Sequence, residues 1–140
     1  MPKVRSSNLK ERTMKTLWIT LFVALASAGA ARAAAGDDAM LALASHSGCM
    51  ACHHVEPGAK GPDGLAPVGP AWRDVAAKYR GQKGADDTLT ATVLKGSNPY
   101  DSHWKGKASG LAMPPNRVAI SDGDARKLVR WILALGPSPK

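Results

Sequence analysis

The sequence predicts an all-α protein of four to five short helices, and three observations support this fold class. Apolar residues recur at the three- and four-residue spacing of a helix, most clearly between 125 and 135. Glycine and proline gather in two stretches, 56–69 and 97–119, that we expect to be long loops. No stretch alternates apolar and polar residues as a half-buried strand does. A chain of 140 residues holds one such domain rather than two.

The first two helices have boundary residues of the usual kind. Asp37 and Asp38 lie where the first helix starts, since carboxylates suit the positive end of the helix dipole, and Gly48 follows its end. Pro70 is expected to open the second helix, at the position where the missing N–H of proline does no harm, and Gly81 closes it.

The last two helices have comparable boundaries. The third covers 86–95, starts with two aspartates and stops at Gly96. The fourth has Ser121 as its N-cap and Asp124 three residues later, an acidic variant of the capping box, and a Gly-Pro pair at 136–137 ends it. Short helices around long loops, with one Phe and two Tyr in the whole chain, form a poor core. We therefore expect a group other than side chains to fill the centre.

Residues 1–35 are predicted to be an N-terminal extension and a cleaved export signal. A basic start is followed by an apolar run at 17–26 and then by small residues, with cleavage sites after Ala33 or Ala35. Met14 is a more natural start than the first methionine. An uncleaved membrane anchor is the alternative, although the run is shorter than the roughly 20 residues that span a bilayer.

We expect residues 36–140 to form the mature domain in an oxidising compartment, the bacterial periplasm, without stable membrane insertion. The formal net charge of the full chain is +8, but residues 1–35 carry six basic residues and one acidic residue. From residue 36 onward thirteen basic residues face ten acidic ones, which leaves +3. The excess charge therefore lies in the segment to be removed, and nucleic acid is not an expected partner.

Cys49, Cys52 and His53 form a Cys-x-x-Cys-His motif, the pattern of c-type haem attachment. Two thiols three residues apart on one helical turn face the same side, so both can form thioethers to the vinyl groups of one haem. His53 then projects beneath the porphyrin as an axial ligand. Covalent attachment also retains the cofactor outside the cytoplasm.

Three other interpretations of the motif were weighed. A redox-active disulfide of the thioredoxin type needs a βαβ context, which the sequence does not show. A zinc site needs four ligands, and there is no second cysteine pair. An ordinary structural disulfide is the third alternative. Export and the helical context favour haem attachment.

The haem iron needs a second ligand from the opposite face. The neighbouring candidates His46, His54, Met40 and Met50 lie on or beside the first helix, on the wrong side or in its apolar stripe. That leaves two residues of the second long loop. Met113 precedes two prolines whose fixed φ angles stiffen the loop, which favours it over His103.

The chain resembles the class I cytochromes c, in particular the short bacterial monohaem type that donates electrons to periplasmic nitrite reductases and terminal oxidases. The resemblance covers residues 37–135. The segments that carry it are 48–53, 68–71, 74–79, 96–97, 113–116 and the closing helix with Trp131. It implies a fold of four to five short helices wrapped around one covalently bound haem c.

The resemblance also implies roles for single residues. The backbone carbonyl of Pro70 accepts a hydrogen bond from Nδ1 of His53. Trp104 hydrogen-bonds a haem propionate. Met113 is the distal ligand, and Asn116 is its neighbour, close enough to bind the Met sulfur or to tie the loop down.

The sequence departs from the family pattern at several places. Both long loops are extended, through 56–66 and 98–110. Ala44 stands where the family often has an aromatic residue in the first helix, and Thr92 stands where a basic residue often faces the propionate. His103 is a candidate substitute partner for that propionate.

The expected function is electron transfer. A haem with both axial positions filled moves one electron and does no bond chemistry, so we expect a carrier rather than an enzyme, present as a monomer that forms transient complexes with redox proteins. The alternatives are a dedicated subunit of a periplasmic dehydrogenase, and a haem enzyme or sensor with a labile distal ligand. Electrons are expected to leave through an apolar patch at the exposed haem edge, and this patch is expected to have a basic rim. The resemblance implies that Met50, Val68 and Leu111 lie near that edge, and Lys60, Lys105 and Lys107 of the two flanking loops are the candidates for the rim.

Overall fold

The computed structural model describes residues 36–58, 60, 64–101 and 104–137. The predicted export segment and His103 lie outside these residues. The chain separates into two units, Met1–Ala39 and Met40–Lys140. The first unit is described only at 36–39, which are helical.

The fold is all-α, as predicted. Helix α1 is described over 36–46, α2 covers Trp72–Tyr79, α3 covers Ala85–Lys95 and α4 covers Asp122–Ala134. Two 3₁₀ turns, Cys49–Ala51 and Pro99–Asp101, complete the helical structure. The described residues contain no strand; their only β-type pairing is an isolated bridge between Lys105 and Ala108. None of the described helices is long and apolar enough to cross a membrane.

The start of α2 corrects the sequence prediction. Pro70 does not open this helix, because the helix begins at Trp72 with Ala71 as an extended N-cap at ψ 140°. The carbonyl of Pro70 instead points at the ring of His53, 2.8 Å from Nδ1. The first hydrogen bond of the helix runs from the N–H of Val75 to the carbonyl of Ala71 at 3.1 Å, so α2 starts two residues later than predicted.

Helix α4 forms the centre of the core. Ser121 caps it as predicted: its hydroxyl accepts from the backbone N–H of Asp124 at 3.1 Å and donates to the carboxylate of Asp124 at 2.9 Å. The helix packs against both α2 and α3. Its apolar stripe is buried, and the buried residues are Ala125, Leu128, Val129 and Ile132.

Charged and aromatic contacts join α4 to its neighbours. Arg126 lies 2.6 Å from Asp87 on α3, and Arg130 lies 3.4 Å from Asp86. These pairs are largely exposed and contribute little stability. Trp131 meets Trp72 of α2 edge to face, with ring centres 5.6 Å apart. Trp72 is buried and Trp131 is partly buried, so this aromatic pair holds α2 on α4 more strongly than the surface charges hold α3.

Candidate functional site

A cavity of about 370 Å³ opens among α2, α3, α4 and the two long loops. Its lining is mostly apolar and includes both cysteines, His53 and Met113. The small side chains of this sequence therefore leave a space in the centre of the fold, as its composition predicted.

The Cys-x-x-Cys-His motif forms a tight turn at the edge of this cavity. Gly48 adopts φ 74°, which favours glycine, and the 3₁₀ turn Cys49–Ala51 follows directly. The N–H groups of Cys52 and His53 both donate to the carbonyl of Cys49, at 3.2 and 3.1 Å. This turn presents both thiols to one cavity, so the single helical turn expected from the spacing is a 3₁₀ turn.

The two cysteines are free and half-buried. Burial raises the pKa of the Cys49 thiol above its ordinary value, and the nearby Cys52 adds to this effect. Redox-active Cys-x-x-Cys pairs have a lowered thiol pKa instead. The electrostatics of this pair therefore argue against a thioredoxin-type site.

The ring of His53 is held by three residues that precede or begin α2. Because a carbonyl only accepts, the contact of 2.8 Å means that Nδ1 of His53 carries the proton and donates it in a hydrogen bond to the oxygen of Pro70. Trp72 stacks on the ring, with centres 6.0 Å apart and planes at 23°. A Cβ at Gly69 would lie 2.5 Å from the ring carbon Cε1, so only glycine allows this approach.

The electrostatics of His53 suit a neutral ligand. Burial lowers the pKa of His53 below its ordinary value, which outweighs the opposite effect of its hydrogen bond to Pro70. A neutral imidazole with its proton on Nδ1 has a lone pair on Nε2. This is the tautomer that binds a metal through Nε2.

The backbone of Met113 is clamped by Ser97, which follows α3. The N–H of Ser97 donates to the carbonyl of Met113 at 2.9 Å, and the N–H of Met113 donates to the Ser97 hydroxyl at 2.8 Å. Gly96 has φ 83°, and a Cβ there would lie 2.9 Å from the same carbonyl. The end of α3 thus fixes Met113 at the cavity wall.

Asn116 ties this loop to α3. Its side-chain amide donates to the carbonyl of Pro114 at 2.7 Å, and its backbone N–H donates to the carbonyl of Val93 at 3.1 Å. Asn116 does not line the cavity. Of the two roles considered from the sequence, the contacts match tying the loop down.

Trp104 lines the cavity from the second extended loop and is half-buried. The ammonium of Lys78 lies 5.2 Å from the centre of its ring. Thr92, which stands where the family often has a basic residue, also lines the cavity. Its hydroxyl donates to the carbonyl of Thr88 at 3.0 Å.

The predicted apolar edge is present in part. Val68 and Leu111 line the cavity and are 51% and 79% exposed. Gly110 joins their two loops, since its N–H donates to the carbonyl of Val68 at 2.9 Å. Met50 is half-buried, packs against the core and does not line the cavity.

The lysines predicted to form a basic rim are all exposed, and none of them lines the cavity. Lys60 and Lys105 are exposed. Lys107 is also exposed, but its ammonium lies 3.8 Å from the Asp74 carboxylate of α2.

Sequence reasoning missed the roles of Gly69, Trp72 and Ser97. Gly69 and Ser97 lie inside segments that carried the family resemblance, but nothing in their local sequence shows what they contact. For Trp72 the available signal was a large aromatic side chain two positions after Pro70. Their contacts become visible only when residues 16 to 19 positions apart are brought together, as in the contacts of His53 with Gly69 and Trp72 and of Ser97 with Met113.

The residues present fit a covalently attached haem. They provide two free thiols three residues apart, a neutral imidazole with a satisfied Nδ1 proton, a methionine with a clamped backbone and an apolar cavity. Across the described part of the chain, no three His, Cys, Asp or Glu residues are grouped so as to hold a metal ion. The fold and the site together define a c-type haem protein of the all-helical class.

Comparison with known proteins agrees with this class. The family described as Cytochrome c matches residues 34–136, and this chain belongs to that family. It is a class I monohaem bacterial cytochrome c, whose cofactor is haem c attached through cysteines in the spacing of Cys49 and Cys52.

Two curated relatives are similar over most of the domain. Cytochrome c-552 of Nitrosomonas europaea is 41% identical over 126 residues, which cover 87% of this chain and 99% of the relative. Cytochrome c-551 of Allochromatium vinosum is 43% identical over 95 residues, or 68% of this chain and 84% of the relative. The crystal structure of wild-type Nitrosomonas europaea cytochrome c552 superposes with a TM-score of 0.52 at 38% identity, covering 66% of this chain and 95% of that one.

Proposed function

We propose that this protein is a periplasmic carrier of single electrons whose haem iron is ligated by His53 and Met113. The observation that carries the proposal is that both side chains line the same cavity as the two motif cysteines. The neutral imidazole of His53 and the thioether of Met113 are each suited to bind iron in both of its oxidation states. When bound, the haem supplies a reversible one-electron couple.

The protein holds each proposed ligand in place. Pro70 keeps the proton of His53 on Nδ1, so the lone pair that would bind iron is on Nε2. Ser97 restrains Met113 through two hydrogen bonds. With both residues bound, the iron would have no open position for a substrate, which supports a carrier over a haem enzyme or sensor.

The cavity wall sets the redox balance. Its lining is mostly apolar, and Val75, Leu128 and Ile132 belong both to the lining and to the buried core. An apolar wall disfavours the additional positive charge of ferric iron, and a soft thioether acts in the same direction. Both features favour a high midpoint potential.

The proposal includes export. Residues 1–35 would be the extension and cleaved signal, and 36–140 the haem domain. Support comes from the family match, which begins at residue 34, next to the expected cleavage sites. The match to the Nitrosomonas europaea relative is longer than 36–140 alone, so it extends into 1–35 while covering 99% of that protein. Part of residues 1–35 is therefore similar to that relative as well.

The proposed partners are other redox proteins that dock transiently at the exposed edge around Val68 and Leu111. Small, weak interfaces suit carriers that must bind and leave quickly. The exposed lysines Lys60 and Lys105 would steer an acidic partner, which raises the association rate more than the affinity.

The test is expression with an export signal and the c-type maturation machinery, followed by haem staining of a denaturing gel. Wild type is expected to keep its haem at the mature mass, and its ferric spectrum should show a methionine-to-iron charge-transfer band. Cys49→Ala/Cys52→Ala should lose the stained band, whereas Met50→Leu, between the two cysteines, should keep it. Colour extracted from wild type by acidified organic solvent would rule out covalent attachment. Absence of the charge-transfer band would favour a labile distal site.

The dehydrogenase-subunit alternative has its own signature. A dedicated subunit would have the same ligands but would co-purify from periplasm with a large oxidoreductase. A free carrier is expected to elute alone and to exchange electrons with more than one purified partner.

A further inference from the structure

The cavity runs along one face of α2. Trp72, Val75 and Tyr79 line it, and their spacing of three and four residues places them on a single face. At 1.5 Å per residue, the first and last of them are about 10 Å apart along the helix axis. The cavity therefore has one end near the start of α2 and another near its end.

The thiols belong to the N-terminal end of α2. The N–H of Gly69 donates to the carbonyl of Cys52 at 2.7 Å, and the N–H of Trp72 donates to the carbonyl of His54 at 2.8 Å. The segment that carries the cysteines is thus bonded directly to the residues that begin α2.

A cation is held at the opposite end of the helix. Lys78 lies in the last turn of α2, and its ammonium stands 5.2 Å from the centre of the Trp104 ring, which lines the cavity. Asp74, one turn earlier, is the natural partner for Lys78, but its carboxylate is 3.8 Å from Lys107 instead. Within the ranges that the structure describes, Lys78 forms no ion pair, and its ammonium instead lies over the face of a ring that lines the cavity.

The chemistry of haem calls for a cation at this end. Its two carboxylates leave the macrocycle on the edge opposite the two vinyl groups, which react with the thiols. A haem attached to thiols at the start of α2 would therefore direct its carboxylates toward the end of that helix. Among the residues that line the cavity, Thr92 of α3 is uncharged, and Asp101, three residues before Trp104, carries a negative charge. A partly desolvated carboxylate in this surrounding is costly without a positive partner.

We propose that Lys78, positioned by Trp104, is the cationic partner of a haem carboxylate and raises the midpoint potential of the protein. The inference rests on the proposed placement of the haem in this cavity. A positive charge near the macrocycle opposes the additional positive charge of ferric iron. Lys78 thereby performs from α2 the task that an uncharged Thr92 cannot perform from α3.

The experiment compares midpoint potentials of holoprotein variants at neutral pH and low ionic strength. Lys78→Gln removes the proposed partner. Lys127→Gln is the matched control, because Lys127 is an exposed helical lysine that pairs with Asp124 on α4, whereas Lys78 lies over the cavity-lining ring of Trp104. Lys78→Arg retains a cation that also stacks on aromatic rings. Covalent haem content and the charge-transfer band are recorded first for every variant.

Lys78→Gln is expected to lower the potential by at least about twice the shift of Lys127→Gln, because Coulomb energy falls with distance. Lys78→Arg is expected to restore most of the wild-type value. Equal shifts in the two glutamine variants, or a rise in potential, would overturn the inference. A fall that arginine does not reverse would overturn it too, since charge would then not be the cause. Wild-type protein without covalent haem would instead refute the proposed function on which the inference rests.

A double-mutant cycle tests the positioning role of Trp104. Trp104→Leu removes the ring over which Lys78 lies. If the ring positions the cation, the combined variant should lower the potential by less than the sum of the two single shifts. Strict additivity would show that Lys78 acts without Trp104 and would overturn that part of the proposal.

Discussion

The imidazole of His53 lies directly against the backbone of Gly69. A Cβ at position 69 would stand 2.5 Å from Cε1 and 2.7 Å from Nδ1 of the ring, closer than such atoms pack. The same ring is hydrogen-bonded to Pro70 and stacked on Trp72. Three neighbouring residues at the start of α2 therefore set the position and the tautomer of the proposed proximal ligand.

Gly69→Ala is expected to destabilise the holoprotein by about 1–3 kcal/mol, the usual cost of forcing an additional methyl into a filled site. The added methyl should also displace His53 from Pro70. The measurement is denaturant unfolding together with the fraction of chains that retain haem. Gly123→Ala is the control, because Gly123 lies in α4 with nothing within 4 Å of its Cβ position. It should stabilise α4 by up to about 1 kcal/mol. Equal effects of the two substitutions would contradict the contact.

Met113→His is expected to keep the covalent haem and to lower the midpoint potential by a sizeable part of the roughly 0.8 V range that axial ligands span. The reason is that imidazole favours ferric iron more than a thioether does. The measurement is a potentiometric titration with the visible spectrum recorded. Met50→Leu serves as control, since Met50 packs against the core outside the cavity. An unchanged potential and spectrum in Met113→His would exclude Met113 as a ligand.

The cap of α4 should make a pH-dependent contribution to stability. Hydrogen bonds from Lys127 and then Ser121 lower the pKa of the Asp124 carboxyl below its ordinary value. A pKa lower in the folded state than in the unfolded state gives stability that is present above the unfolded value of about 3.9 and is lost as pH falls through the folded value. Asp124→Asn should therefore be less stable than wild type near pH 6, by a small amount because solvent screens these surface contacts. The two denaturation midpoints should converge at low pH; a difference that persists there would contradict this origin.

Leu111→Asp is expected to slow electron transfer to a purified partner at every salt concentration, because it places a charge in the exposed apolar patch that would contact the partner. Lys105→Glu should slow transfer mainly at low ionic strength, since its effect is a screened surface charge. Stopped-flow oxidation across ionic strength measures both. Val118→Asp is the control for Leu111, because Val118 is fully exposed and does not line the cavity. Unchanged second-order rates in both variants, with native spectra, would place the exit on another face.

The local sequence determined the parts of this protein that depend on neighbours a few residues apart. The Cys49–His53 motif, the cap at Ser121 and the stripe of α4 all follow from spacing within one or two helical turns, and the structure contains each of them. The shortage of large side chains likewise predicted a central space, which the cavity provides. Such features are readable because helical geometry fixes which residues i and i+3 or i+4 can meet.

The tertiary structure decided what depends on residues distant in the chain. Pro70 reads locally as the first residue of a helix, yet its carbonyl bonds His53 seventeen positions away and the helix starts at Trp72. Lys78 reads as an ordinary partner of Asp74, yet it lies over Trp104 because Lys107 has taken that carboxylate. In each case the local sequence suggests one role, and the structure shows a contact with a residue distant in the chain instead. Sequence spacing gives the choices, and long-range packing determines which one is made.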